Sequence, residues 1–203
     1  MPSRQDIVTF HDPPAPPGES PWVDGAGPEV GVDLADPHPA WPDAFAEIAA
    51  RLRDALGWRA ISIEHVGSTS VPGLVAKPII DVDLVVADPT DEAAYLPALE
   101  AAGFVLRVRE PWWFEHRALR LPQPRCNLHV FGPDSPEPVK HRIFRDWLRG
   151  NADDRDRYAA AKRSAAAAAN AQGEHTMQYN ARKEQAVREI YDRAFRAAGL
   201  VTD

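Results

Sequence analysis

Apolar residues recur at Phe45, Ile48, Ala49, Leu52 and Leu56, a spacing of i, i+3, i+4, i+7 and i+11 that predicts an amphipathic helix over about Pro42–Leu56. The period then shortens. Ile61–Val66 (ISIEHV) reads as a strand, Gly67–Leu74 as a loop, and Ile79–Ala87 (IIDVDLVVA) as a mostly apolar strand of the kind buried on both faces. Glu92–Ala102 returns to a helical pattern, and Gly103–Arg109, Trp113–Leu121 and Cys126–Phe131 are three further strand candidates. The pattern predicts an α/β (α+β) core with a mixed, partly antiparallel sheet of about five strands flanked by helices.

Proline divides the chain. Ten of its 20 prolines fall within the first 42 residues and the other ten between Pro72 and Pro138, so the 65 residues that follow are free to be helical. Asp153-Asp154-Arg155 leads into an alanine-rich helix that Gly173 stops, and a second helix runs from about Met177 to Ala198, with Gly199 as its stop signal. Ala165–Ala169 reads as a close-packed small-residue face. The division expected is a proline-rich, disordered or extended arm over 1–28, an α/β core over 29–138 and a helical subdomain over 139–203.

With 203 residues, 44% hydrophobic and 26% charged, this is ordinary globular composition. No apolar run approaches the ~18 residues of a membrane helix, and the first twenty residues lack the apolar centre of a signal peptide, so the cytoplasm is the expected compartment. The single cysteine, Cys126, has no partner for an internal disulfide and reads as a small core residue. The formal charge of −7 is uneven: residues 139–203 hold 13 basic and 9 acidic groups. A local anion-binding face on that segment is expected, while the overall acidity disfavours a nucleic-acid partner.

The chemistry concentrates in Glu64–Val86, EHVGSTSVPGLVAKPIIDVDLVV. Side chains alternate along a strand, so Asp81 and Asp83 project to one side about 7 Å apart while Ile80, Val82, Leu84 and Val86 fill the other. Two carboxylates in an apolar setting need a cation or a buried base between them, and a hard divalent ion such as Mg²⁺ or Mn²⁺ is the usual solution. Gly67-Ser68-Thr69-Ser70 follows a strand and offers hydroxyls and free backbone N–H groups, the makings of a phosphate cradle. Phosphates held on one side and a metal bridging them from the other is the arrangement that phosphoryl and nucleotidyl transfer requires. His65 is expected to fix the loop, and Lys77 to contact a phosphate or an acceptor. Tyr158 and Lys162, like Tyr179 and Lys183, are i, i+4 pairs in which each lysine can lie beside a ring. Arg142, Arg145 and Arg149 share another helix face, and Trp112-Trp113-Phe114 suits either a core or the wall of a pocket for a planar group. GxxxxGK[ST], GxSxG, HExxH and GxGxxG are all missing from the sequence.

HVGSTSVPGLVAKPIIDVDLVV, NLHVF, FRDWLR, Tyr158 with Lys162 and Tyr179 with Lys183 together resemble the GrpB family, also met as the C-terminal domain of some bacterial dephospho-coenzyme A kinases. The resemblance covers about Val30–Ala198 and implies a nucleotidyltransferase-superfamily fold. It further implies that Gly67 and Ser68 at a helix start, with Asp81 and Asp83, bind Mg²⁺ and a nucleoside triphosphate. By the same analogy Lys162, Lys183 or Arg145 would meet the β- and γ-phosphates. Active members of that superfamily usually add a third carboxylate from a later strand. Here the corresponding strand carries Asn127 and His129 instead, leaving His129 to serve as base, ligand or structural histidine and Glu115 as the next carboxylate in line.

The activity expected is Mg²⁺-dependent transfer of a nucleotidyl group, from ATP or another nucleoside triphosphate, to a small-molecule acceptor. Asp81 and Asp83 would hold the metal, Gly67, Ser68 and Ser70 the triphosphate, Lys77, Lys162 or Lys183 would offset its charge, and His129 would be the base. Two alternatives stand beside it. One is another condensation on the same fold in small-molecule biosynthesis, told apart by pyrophosphate release. The other is a nucleotide- or partner-binding module without turnover.

Overall fold

The protein is described by a computed structural model over residues 1–201. Helix α1 (Arg4–Val8) lies in the amino-terminal arm, capped by the Ser3 hydroxyl. Helix α2 (Trp41–Leu56) buries Ile48, Ala49, Leu52 and Leu56, the stripe its spacing predicts. Then follow β1 (Ser62–Val66), β2 (Ile80–Val85), α3 (Glu92–Ala101), β3 (Val105–Glu110), β4 (His116–Leu121) and β5 (Cys126–Phe131). Helices α4 (Glu137–Gly150), α5 (Ala152–Ala171) and α6 (Thr176–Ala197) complete the chain.

The five strands form one mixed sheet in the order β1-β2-β5-β4-β3, in which only β2 and β5 run parallel. Its two faces are chemically opposite. Ile80, Val82 and Leu84 of β2 join Leu128 and Val130 of β5, Leu119 of β4 and Leu106 of β3 in a core closed by α2 and α3. Cys126 is buried in that core, as expected. The other face is polar: the register aligns Asp81 with Asn127 and Asp83 with His129 across β2 and β5, and Glu110 with His116 across β3 and β4. Helices α4 to α6 lie over this face. The alanines of α5 do what small residues allow, since Ala165, Ala166 and Ala169 pack with Tyr179 of α6 and Val32.

Two expectations change on folding. The strand expected from Trp113 begins only at His116, because Phe114 and Glu115 both take positive φ (52° and 54°) in the turn that returns β3 to β4. The arm, expected to have little to bury, is laid against the body. Buried Lys140 donates to the Thr9 carbonyl at 2.7 Å, and the Trp113 indole donates to the His11 carbonyl at 2.7 Å. Phe10 sits edge-on to Tyr191, with the Arg188 guanidinium 3.9 Å above its ring centre. Further along, Trp22 forms an antiparallel bridge with Val108 at the β3 edge.

Candidate functional site

A cavity of about 770 Å³ lies between the polar sheet face and the helical layer. Gly67, Ser68, Lys77, Asp81, His129, Lys162 and Lys183 all line it. Seven of the sequence-predicted residues therefore meet in one place.

The seam is the turn after β1. Gly67 sits at φ +66°, where an added Cβ would come within 2.3 Å of Asp81 Oδ2, so only glycine lets the loop press against the carboxylate. A single 3₁₀ turn follows over Ser68–Ser70. His65 fixes this turn as expected: its Nε2 shares a hydrogen bond with the Thr69 hydroxyl at 3.0 Å, and its ring stacks on Phe45. Burial, reinforced by Arg149 and Arg145, pushes His65 down to about 4, so it stays neutral.

Three predicted residues do not line the cavity: Asp83, which is buried in the sheet, and Ser70 and Arg145, which are turned away from it. The Ser70 hydroxyl is spent on the Gly67 carbonyl at 2.5 Å and its own carbonyl accepts from Arg149, which turns it away from the phosphate side. Arg145 is held by Glu64 at 2.9 Å, by Asp146 at 2.7 Å and by the His65 carbonyl. Ser70 and Arg145 instead line a separate hollow of about 660 Å³ on the far side of the turn. The reason is topological: α4 crosses β1 outside the carboxylate strand, so its arginines clamp the loop from behind.

The carboxylates differ from each other. Asp81 faces the cavity and accepts from Asn127 Nδ2 at 2.9 Å. Asp83 is 1% exposed; its Oδ2 accepts from His141 Nδ1 at 2.8 Å, while Oδ1 has no hydrogen-bond partner among the described residues. Burial works against a charge on His141, yet the adjacent Asp83 carboxylate raises it to about 9, so an imidazolium supplies the neutralising charge. As for a divalent ion, cavity-facing Asp81 and the orphaned Oδ1 of Asp83 are oxygen donors of the right kind. A third carboxylate does not join them, and among the described residues no group of three His, Cys, Asp or Glu side chains is placed to hold a metal. Glu115 does not fill the gap, since its turn carries it toward Arg117 and out of the cavity lining.

At the helical end, Lys162 and Lys183 lie over the Tyr158 ring, 5.2 and 5.8 Å from its centre, and Lys183 is 5.3 Å from that of Tyr179. These are the pairs the i, i+4 spacing predicts. Lys162 is 3% exposed, and burial, followed by repulsion from Lys183, lowers it to about 7. Burial lowers Lys77 too, against the pull of Asp81. Sequence reasoning missed Glu110 and His141 and left His116 unassigned. Their only signal is strand and helix register, which a single sequence does not display.

Together these features define a mixed α/β protein whose chemistry lies between the polar sheet face and a helical cover. Residues 31–193 match the GrpB protein family, and the chain belongs to it. It is 49% identical over 163 residues to a UPF0157 protein of Halalkalibacterium halodurans, covering 80% of this chain and 82% of that one. The structure of the conserved protein GrpB from Enterococcus faecalis superposes with a TM-score of 0.70 at 27% identity, covering 82% of this chain and 99% of that chain. The dephospho-CoA kinase of Mycolicibacterium paratuberculosis is 30% identical over 190 residues, which is 81% of this chain but only 46% of the kinase. Among the described residues no helix is long and apolar enough to cross a membrane.

Proposed function

We propose that the cavity binds a nucleoside triphosphate with a divalent ion, Mg²⁺ or Mn²⁺, and transfers its nucleotidyl group to a small-molecule acceptor. One observation carries the reading: three lysine amines, Lys77, Lys162 and Lys183, line the cavity that also holds the Gly67–Ser68 turn and Asp81, and none has a hydrogen bond or ion pair among the described residues. Lys162 is buried and Lys77 and Lys183 half-buried; charging such unpaired amines is costly, and a polyanion relieves that cost. Asp81 and Asp83 would hold the ion, which would shield the phosphates and polarise the α-phosphorus. The backbone at Gly67 and Ser68 would cradle the phosphates, with ATP the first nucleotide to try.

A second reading, nucleotide or partner binding without turnover, draws support from the place next to the carboxylates, where Asn127 and His129 stand instead of a third acid. Redeployment to another condensation would keep the cavity and change the acceptor. Calorimetric titration of a non-hydrolysable ATP analogue with Mg²⁺ into the wild-type chain tests the common ground, with Asp81→Asn and Lys183→Ala as controls. Metal-dependent binding weakened at least tenfold in both controls is the expected result. Absence of binding for every nucleotide tried overturns the reading, and pyrophosphate release then separates transfer from binding alone.

A further inference from the structure

Three residues on the sheet face form a continuous polar chain that leads into the cavity. Glu110 Oε2 lies 2.8 Å from His116 Nδ1, and His116 Nε2 lies 3.0 Å from His129 Nδ1. The two imidazoles lie edge to edge, their planes 20° apart and their ring centres 5.2 Å apart. His116 is 4% exposed and walled by Trp113 and Phe131, which fixes its plane, whereas His129 is partly open to the cavity beside Asp83.

Proton placement follows from the partners. An ionised carboxylate only accepts, so His116 Nδ1 carries the proton that Glu110 receives. Burial lowers His116 against the opposing pull of Glu110, which keeps it neutral, and its Nε2 is then a bare acceptor. One proton must lie between the two rings, and it comes from His129 Nδ1. The remaining nitrogen, His129 Nε2, has no hydrogen bond among the described residues.

We infer that Glu110 and His116 are positioning residues that lock His129 as its Nδ1–H tautomer, leaving the Nε2 lone pair to take the proton from the acceptor in nucleotidyl transfer. This rests on the proposed function and names the base within it. In the step, an acceptor O–H or N–H gives its proton to Nε2 while the acceptor atom forms a bond to the α-phosphorus. The bond from that phosphorus to its bridging oxygen breaks, pyrophosphate leaves with the electron pair, and the His129 imidazolium later releases its proton to solvent. A base poised in this way occupies the position where a third carboxylate would otherwise stand.

Nitrogen-15 histidine NMR reads the tautomer with no nucleotide present, so its failure is separate from failure of nucleotide binding. In the wild-type chain near pH 7.5, His116 and His129 should each show a protonated Nδ1 and a pyridine-type Nε2. Glu110→Gln, whose amide can donate to His116, should shift His129 toward the Nε2–H form, and Glu110→Asp should restore the Nδ1–H form at least in part. A wild-type His129 protonated at Nε2 overturns the inference, as does a wild-type His116 protonated at Nε2 in place of Nδ1. The wild-type spectrum decides even if the variant folds poorly.

Discussion

The two ends of the cavity satisfy their polar groups in opposite ways. At the helical end Lys162 and Lys183 are set against the Tyr158 and Tyr179 rings, and with Lys77 across the cavity they have no hydrogen bond or ion pair among the described residues. At the sheet end the polar groups pair with one another, Glu110 with His116 and His116 with His129 in one chain and His141 with Asp83 beside it. Lys140 sharpens the contrast: as buried as Lys162, it is paired with Glu137 at 2.6 Å and the Thr9 carbonyl. Unpaired amines in a cavity remain available to an external anion, as the proposed function requires, whereas internally paired groups hold one another still.

The seam between the ends is the place to break both. Gly67→Ala must displace Asp81 and occupy a left-handed conformation, and we expect a loss of about 3 kcal/mol, which thermal denaturation would register as a fall of roughly 6–12 °C. Nucleotide binding should go with it. An unchanged melting temperature would mean that the loop is not pressed against the carboxylate.

His141→Ala comes next and touches the sheet end alone. It leaves the Asp83 carboxylate buried without its imidazolium, and because His141 is partly exposed we expect about 2 kcal/mol rather than the larger cost of a fully buried pair. Binding of inorganic tripolyphosphate should change less than threefold. A large loss of anion affinity with intact stability would erase the distinction between the ends.

How much of this could be read from the sequence follows the same division. The lysine end was legible, because Tyr158 with Lys162 and Tyr179 with Lys183 are local i, i+4 relations that any helix enforces. Gly67, Ser68, Asp81 and Asp83 were legible for a like reason, lying within one loop and one strand. The histidine chain was not, since Glu110, His116 and His129 meet only through the order and register of three strands, and His141 meets Asp83 only through the packing of α4 on the sheet. Ser70 and Arg145 were placed on the wrong side because the direction in which α4 crosses the sheet is a tertiary fact. The fold itself read well, from helix periodicity and an apolar β2 face. The arm did not, as extended proline-rich backbone gives no sign of a dock formed by Phe10, Lys140 and Arg188.

That dock gives a smaller effect. Phe10→Ala should cost about 1.5 kcal/mol, less than a core phenylalanine because the ring is only half-buried, and should raise protease sensitivity in the first 13 residues. No change in melting temperature would return the arm to the free segment that its composition suggests.

The finest test concerns protons at Lys162, faced by Lys183, Lys77, Asp81 and Tyr158. Its folded value of about 7 lies below the ordinary lysine value of 10.5, so the unfolded chain binds more protons between those limits and stability rises with pH across that window. The cost of burying the ammonium is fully present below pH 7, so Lys162→Met should be more stable than wild type at pH 6 and lose that advantage as pH approaches 10. At pH 8 the free amine is about nine-tenths neutral, and a bound polyphosphate restores its charge, so binding should take up nearly one proton. Calorimetry of tripolyphosphate in two buffers of different ionisation enthalpy measures this uptake, which should vanish at pH 6 and in Lys162→Met. Equal uptake in the variant would assign the proton elsewhere, and none at pH 8 would mean that the anion never meets this amine, leaving the helical end without the role its unpaired lysines imply.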